Sequence, residues 1–172
     1  MDSDKTYKIF LSFAFEAQEK VNEIRKMLHT PPEVEVFNAT KDMTWGQRLE
    51  LIFKMIPECD LFLLYWDVNS SRSHWVHQEI GAARSHNLKL APILTDKTAL
   101  HDNLRDFVRF DARGDKEKCH NDLKAHVRDE AEKKHTDNFD EAGLSHNHCF
   151  VGRKEKLKEF DSGDTIPILN VS

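Results

Sequence analysis

Five short apolar runs recur along the chain with helical patterns between them: Tyr7 to Phe13, Val34 to Phe37, Leu61 to Trp66, Leu88 to Leu94 and Phe107 to Phe110. Near-continuous apolar runs of strand length are what parallel strands need when both faces of their sheet are covered. Between the first two runs, Glu16 to His29 carries Val21, Ile24 and Leu28 at helical spacing, and Pro31-Pro32 ends that helix before the second strand. Gln47 to Ile56 repeats the pattern with Leu49, Ile52, Phe53 and Ile56, and Trp75 to His86 repeats it between the third and fourth runs. The expected fold is an α/β, flavodoxin-like, five-stranded parallel sheet with helices on both faces, closing near residue 135. A last, mostly charged helix is expected over Lys116 to Lys134.

In a sheet of this kind ligands bind beyond the carboxyl ends of the strands, where strand order reverses; for the common five-strand order that is between strands one and three. Those ends are Ser12-Phe13-Ala14 and Trp66-Asp67, and the segment leaving the third strand is Ser71-Arg-Ser-His-Trp-Val-His-Gln-Glu-Ile-Gly-Ala-Ala83. Winding it at about 100° per residue puts Val76, Ile80 and Ala83 on the stripe that faces the sheet. Trp75, Glu79, Ala82 and His86 form the adjoining stripe, and His74, His77, Gln78, Arg84 and Ser85 face away. Glu79 therefore sits at the edge of the core. A carboxylate there either pairs with a neighbouring lysine or arginine, or stabilises a cation or holds hydroxyl groups.

Composition narrows the function classes. Thirty acidic against 25 basic residues give a formal charge of −5, with the two signs interspersed, so no basic patch marks a nucleic-acid partner. Cys59, Cys119 and Cys149 are odd in number and scattered, and Met-Asp-Ser-Asp-Lys lacks the pattern of a secretion signal, which together point to a reducing, cytoplasmic compartment. The longest apolar run is far short of the roughly 20 residues that cross a bilayer, so no membrane partner is expected. The six glycines form neither a dinucleotide-binding turn nor a P-loop. A phosphoacceptor receiver would need paired acids where Ser12-Phe13-Ala14-Phe15 stands, and Ser12 has no histidine at a diagnostic spacing for a nucleophilic triad. Cys119-His120 and His146-x-His148-Cys149 lack the paired-cysteine spacing of zinc sites, so no metal is expected.

Lys8-Ile-Phe-Leu-Ser-Phe13, Val36-Phe37, a polar loop ending at Trp45-Gly46, Asp60-Leu-Phe-Leu-Leu-Tyr65, Ser73-His-Trp-Val-His-Gln-Glu-Ile80 and Ala91-Pro-Ile-Leu94, in that order and spacing, resemble a TIR domain over about residues 6 to 135. Trp-Val-His-Gln-Glu-Ile is similar to the segment that bears the catalytic glutamate of TIR-domain NADases. The resemblance implies cleavage of the nicotinamide–ribose bond of NAD+, as substrate and with no further cofactor, to nicotinamide and linear or cyclic ADP-ribose. Glu79 is then the catalytic residue, because a bond that breaks through an oxocarbenium-like transition state is helped by a carboxylate facing the growing charge. Phe13 and Trp75 become substrate-binding rings, each with core packing as its other reading. Met43 becomes a lining residue in the loop Asn38 to Trp45, which corresponds to the family's mobile BB loop. TIR–TIR self-association is implied as well. Two departures set this chain apart: relatives with well-defined pockets carry Tyr-Arg at Phe13-Ala14 and an acid at Lys41, so a difference in substrate affinity, rate or product is expected. Two other readings compete with the NADase. A non-enzymatic adaptor acts by TIR–TIR contacts alone, although adaptors commonly lack the Trp-x-x-x-Glu pair. A nucleoside 2′-deoxyribosyltransferase-like hydrolase also sets a glutamate against ribose.

Residues 136–148 read as a polar linker. Beyond them, Phe150-Val-Gly-Arg153 and a Glu/Leu-bearing stretch to Phe160 resemble the entry to a STAND-type NTPase, with Ile166 to Ser172 as the strand that would precede its Walker A loop. The expectation is an N-terminal effector module of an NLR-like immune protein, with 149–172 the start of a truncated NTPase domain.

Overall fold

The computed structural model describes residues 6–28, 34–38 and 44–147, leaving aside the side chains at 45, 51 and 137–147. Met43, the two prolines at 31 and 32, and the tail 149–172 lie outside the described residues. The chain divides into two units between Lys134 and His135, and the whole sheet belongs to the first.

Five parallel strands, β1 (Tyr7–Ser12), β2 (Val34–Phe37), β3 (Leu61–Trp66), β4 (Lys89–Leu94) and β5 (Phe110–Asp111), lie in the order β2-β1-β3-β4-β5. This is the flavodoxin-like order, and its reversal falls between β1 and β3. Register runs Ile9 opposite Leu61 to Ser12 opposite Leu64, and Leu61 opposite Lys89 to Trp66 opposite Leu94. Every residue of β3 is buried, as expected of a central strand covered on both sides. Odd positions of β1 and β3 (Ile9, Leu11; Leu61, Leu63, Tyr65) pack under α1 (Gln18–Leu28) and the first part of α4 (Lys116–Asn147) through Val21, Ile24, Leu123 and Val127. Even positions (Phe10; Phe62, Leu64, Trp66) pack under α3 (His74–Ser85) and the segment Ile52 to Ile56. Period-two alternation thus divides the core into two apolar layers.

Three local differences from the sequence reading have physical reasons. The second helix is α2 (Trp45–Glu50) followed by a wider π turn, Leu51–Met55, and a tight turn, Ile56–Glu58. Widening keeps Ile52 and Ile56 on the sheet face, 5% and 0% exposed, and leaves Phe53 71% exposed rather than in the core. The fifth strand is confined to Phe110–Asp111, because only Ile93 and Leu94 offer β4 partners there; Val108 is exposed. Finally, α4 does not stop at Lys134 but continues to Asn147, through most of the stretch read as a linker, which holds no proline to break it.

Candidate functional site

The helix that carries the glutamate is fixed at both ends. Ser73 caps its start, its hydroxyl accepting from the Val76 N–H at 3.4 Å. At the other end Asn87 turns left-handed (φ 56°), the Asn87 N–H bonds the Arg84 carbonyl at 3.0 Å and the Leu88 N–H bonds the Ala83 carbonyl at 3.0 Å. This paired closure satisfies the Ala83 and Arg84 carbonyls and turns the chain directly into β4. Between these ends Val76, Ile80 and Ala83 seat α3 on the sheet. Glu79, three residues after Val76 and four before Ala83, follows them inward and is 6% exposed.

Its carboxylate meets the end of β1: the Ser12 hydroxyl, itself buried, donates to Glu79 Oε2 at 2.6 Å. Burial raises the Glu79 pKa to about 7, against the lowering effects of the Ser12 hydrogen bond and the Arg48 charge. The carboxyl group thus opens onto a cleft of about 280 Å³ lined by Phe13, Ala14, Phe15, Arg48, Trp75 and Glu79, with Glu16, Asn69, Arg72 and Ser73 completing the wall. This is at the small end of the roughly 300–1,000 Å³ usual for ligand pockets. The floor is braced by Ser70, whose hydroxyl donates to the Tyr65 carbonyl at 2.7 Å and accepts from the Ala14 N–H at 3.2 Å. One side chain therefore ties the ends of β1 and β3 together. The Ser70 N–H in turn donates to Asp67 Oδ1 at 2.8 Å.

The structure brings three of the four sequence-nominated residues together. Glu79, Phe13 and Trp75 line one cleft, and Met43 lies outside the described residues. Phe13 lines the cleft while only 7% exposed and packed in the layer under α1, edge-on to Phe15 with ring centroids 6.3 Å apart. Trp75 is half-buried against the opposite layer. Sequence reasoning missed Arg48, whose guanidinium lies 4.3 Å from the Phe15 ring centroid and 5.3 Å from that of Trp75, at cation–π range. It also missed Arg72, and it weighed Ser12 only as a nucleophile. The signal for Ser12 was its parity with Phe10, which sends it to the α3 side of β1; nothing in the local pattern pointed to Arg48. A buried carboxyl with a neighbouring hydroxyl and aromatic walls suits recognition of ribose hydroxyls beside a developing cation. Among the described residues no group of three or more potential metal ligands is gathered, and no helix is long and apolar enough to cross a membrane.

Comparison with known proteins gives the family context. The family model described as "TIR domain" matches residues 9–127. The TIR domain of the Toll-related receptor TRR-2 from Hydra magnipapillata superposes with a TM-score of 0.57 at 16% identity, over 72% of this chain and 99% of that one. The CMP N-glycosidase BcmB of Clostridium botulinum gives 0.52 at 27% identity, over 67% and 98%. A 2-deoxyribosyltransferase from Bacillus psychrosaccharolyticus gives 0.51 at 14%, over 70% and 95%. No curated protein sequence matches the chain.

Proposed function

Because the chain belongs to the TIR-domain family, we propose that its cleft cleaves the bond between a base and ribose in a nucleotide, with NAD+ as the substrate and nicotinamide and ADP-ribose, linear or cyclic, as products. The observation that carries this reading is Glu79: a carboxyl buried to 6% exposure at the strand-order reversal, held by Ser12 and open to an aromatic-walled cleft. Burying a carboxyl group costs stability, so such placement is expected where the group has chemistry to perform. In its ionised form Glu79 holds the ribose hydroxyls and faces the positive charge that grows on the sugar as the base departs. Nicotinamide leaves as a neutral base and needs no general acid, so the ionised form is the active one. The 27% identity to a protein named as a CMP N-glycosidase supports the same bond class on a different nucleotide.

The test is incubation of concentrated protein with NAD+ and, separately, with CMP, followed by chromatography of the products. Release of nicotinamide, lost in Glu79→Gln, is the expected result. Base release from CMP alone would keep the glycosidase and replace its substrate; near-wild-type turnover by Glu79→Gln would make the glutamate structural.

A second reading, a non-enzymatic module acting by contacts between TIR domains, draws on Phe53, 71% exposed on the π turn after α2. A large exposed aromatic is the kind of group that protein interfaces recruit. The two readings are compatible if assembly completes the site. In this scheme the domain is the effector part of a larger signalling protein, brought together with its copies by a trigger.

A further inference from the structure

The cleft holds two guanidiniums that ribose recognition by Glu79 does not require. We propose that Arg72 and Arg48 form an anion subsite that takes the phosphate on the ribose 5′ carbon, so that the cleft selects nucleotides over nucleosides. This rests on the reading of the cleft as a ribosyl site and adds its substrate class.

Arg72 closes the turn Ser70–Arg72, and that turn is anchored. Ser70 is held by the Tyr65 carbonyl, the Ala14 N–H and Asp67 at 2.7, 3.2 and 2.8 Å, so the arginine springs from a base fixed to the ends of both β1 and β3. Among the described residues its guanidinium makes no ion pair with a carboxylate, whereas Arg105, Arg113 and Arg128 each do. Arg48 reaches the same cleft from α2, its charge placed by the rings of Phe15 and Trp75. Stacking uses the faces of a guanidinium, while its donors point outward in the plane, the geometry that meets a phosphate. The first turn of α3 adds the positive end of its dipole beside Ser73.

Charge balance supports the assignment. The whole chain carries a formal −5 and repels anions at long range. Inside the cleft Arg48 and Arg72 stand with Glu16 and Glu79, so with Glu79 ionised the lining is balanced rather than negative, and the two guanidiniums supply the positive partners that the chain as a whole lacks. Glu79 and Arg72 are carried by different elements, α3 and the turn before it. A ribose between them presents its 2′ and 3′ hydroxyls to one and its 5′ substituent to the other.

Titrating the protein with ribose 5-phosphate and with ribose, followed by NMR shifts, tests the subsite without any need for turnover. The phosphate is expected to improve affinity by about tenfold or more, as charge-assisted bonds do. Arg72→Gln, on an exposed residue, should remove most of that gain while ribose affinity stays, and Arg48→Gln should reduce it. Arg84→Gln, on the far face of α3, should leave it intact. Equal affinity for the two sugars, a preference that survives both Arg72→Gln and Arg48→Gln, or an equal loss from Arg84→Gln would overturn the proposal. A phosphate preference found in a protein that releases no base from NAD+ or CMP would uphold the subsite and sink the glycosidase reading.

Discussion

Glu79 is where stability and chemistry oppose each other. Its pKa is raised from 4.5 to about 7, chiefly by burial, so the folded state binds the proton more tightly than the unfolded chain. The stability tied to that proton is fully present below pH 4.5 and is lost as the pH rises through about 7. By pH 8 the ionised group costs on the order of 3 kcal/mol. Glu79→Gln, which keeps the shape and can still accept from Ser12, should therefore melt above the wild type at pH 8, with the gap closing towards pH 5. Melting curves at the two pH values check this; a gap that widens at acid pH would reverse the sign of the shift. On the proposed mechanism activity should run the other way, since there the ionised form faces the developing charge. The rising limb of kcat/KM, which reports the free enzyme, is expected near pH 7. Ser12→Ala removes a hydrogen bond that favours the carboxylate, so that limb should move to higher pH. A limb unmoved by Ser12→Ala would mean that the hydroxyl does not set the protonation of the site.

Among the elements, α3 does the positioning, and it depends on its closure at Asn87. With φ at 56°, that residue occupies backbone space in which a β-branched side chain is strained, while glycine is at ease. Asn87→Val should lower stability by about 1–2 kcal/mol and Asn87→Gly by little, as read from denaturant midpoints. Equal effects would show that the left-handed turn is not what ends the helix. The π turn at Leu51–Met55 acts similarly on the other helix of this layer: it holds Ile52 and Ile56 in the core and turns Phe53 out. A regular helix could place Phe53 with them, which is what the apolar spacing alone suggests.

For the molecule as a whole, the exposed Phe53 and the small size of the cleft bear on assembly. The cleft of about 280 Å³ holds a ribose and a base more readily than an entire dinucleotide, so closure by a neighbouring copy would improve binding in proportion to the closed fraction. Specific activity on NAD+ should rise with protein concentration, and fusion to a constitutive oligomer should raise it at high dilution. Phe53→Ser should weaken both self-association and that rise, with little effect on melting, because the ring is already exposed. Constant activity per molecule across the dilution series, in both proteins, would mean that one copy has a complete site.

The apolar runs by themselves marked the strands, all but the extent of the fifth, and the side of α3 that faces the sheet, because burial on two faces leaves near-continuous apolar runs of strand length between helical patterns. Helical periodicity put Glu79 on the stripe beside the core, while its place at the strand-order reversal followed from the usual order of such sheets, which rests on pairings as distant as Ile9 with Leu61. Neither revealed what Glu79 touches. Ser12 lies 67 positions away along the chain, and Arg48 reaches Phe15 and Trp75 from a third element. The bond at 2.6 Å, the arginine between two rings and the raised pKa arise only once β1, α2 and α3 are packed together. The length of α4 and the outward turn of Phe53 were likewise decided by backbone hydrogen bonding, to which side-chain periodicity is blind.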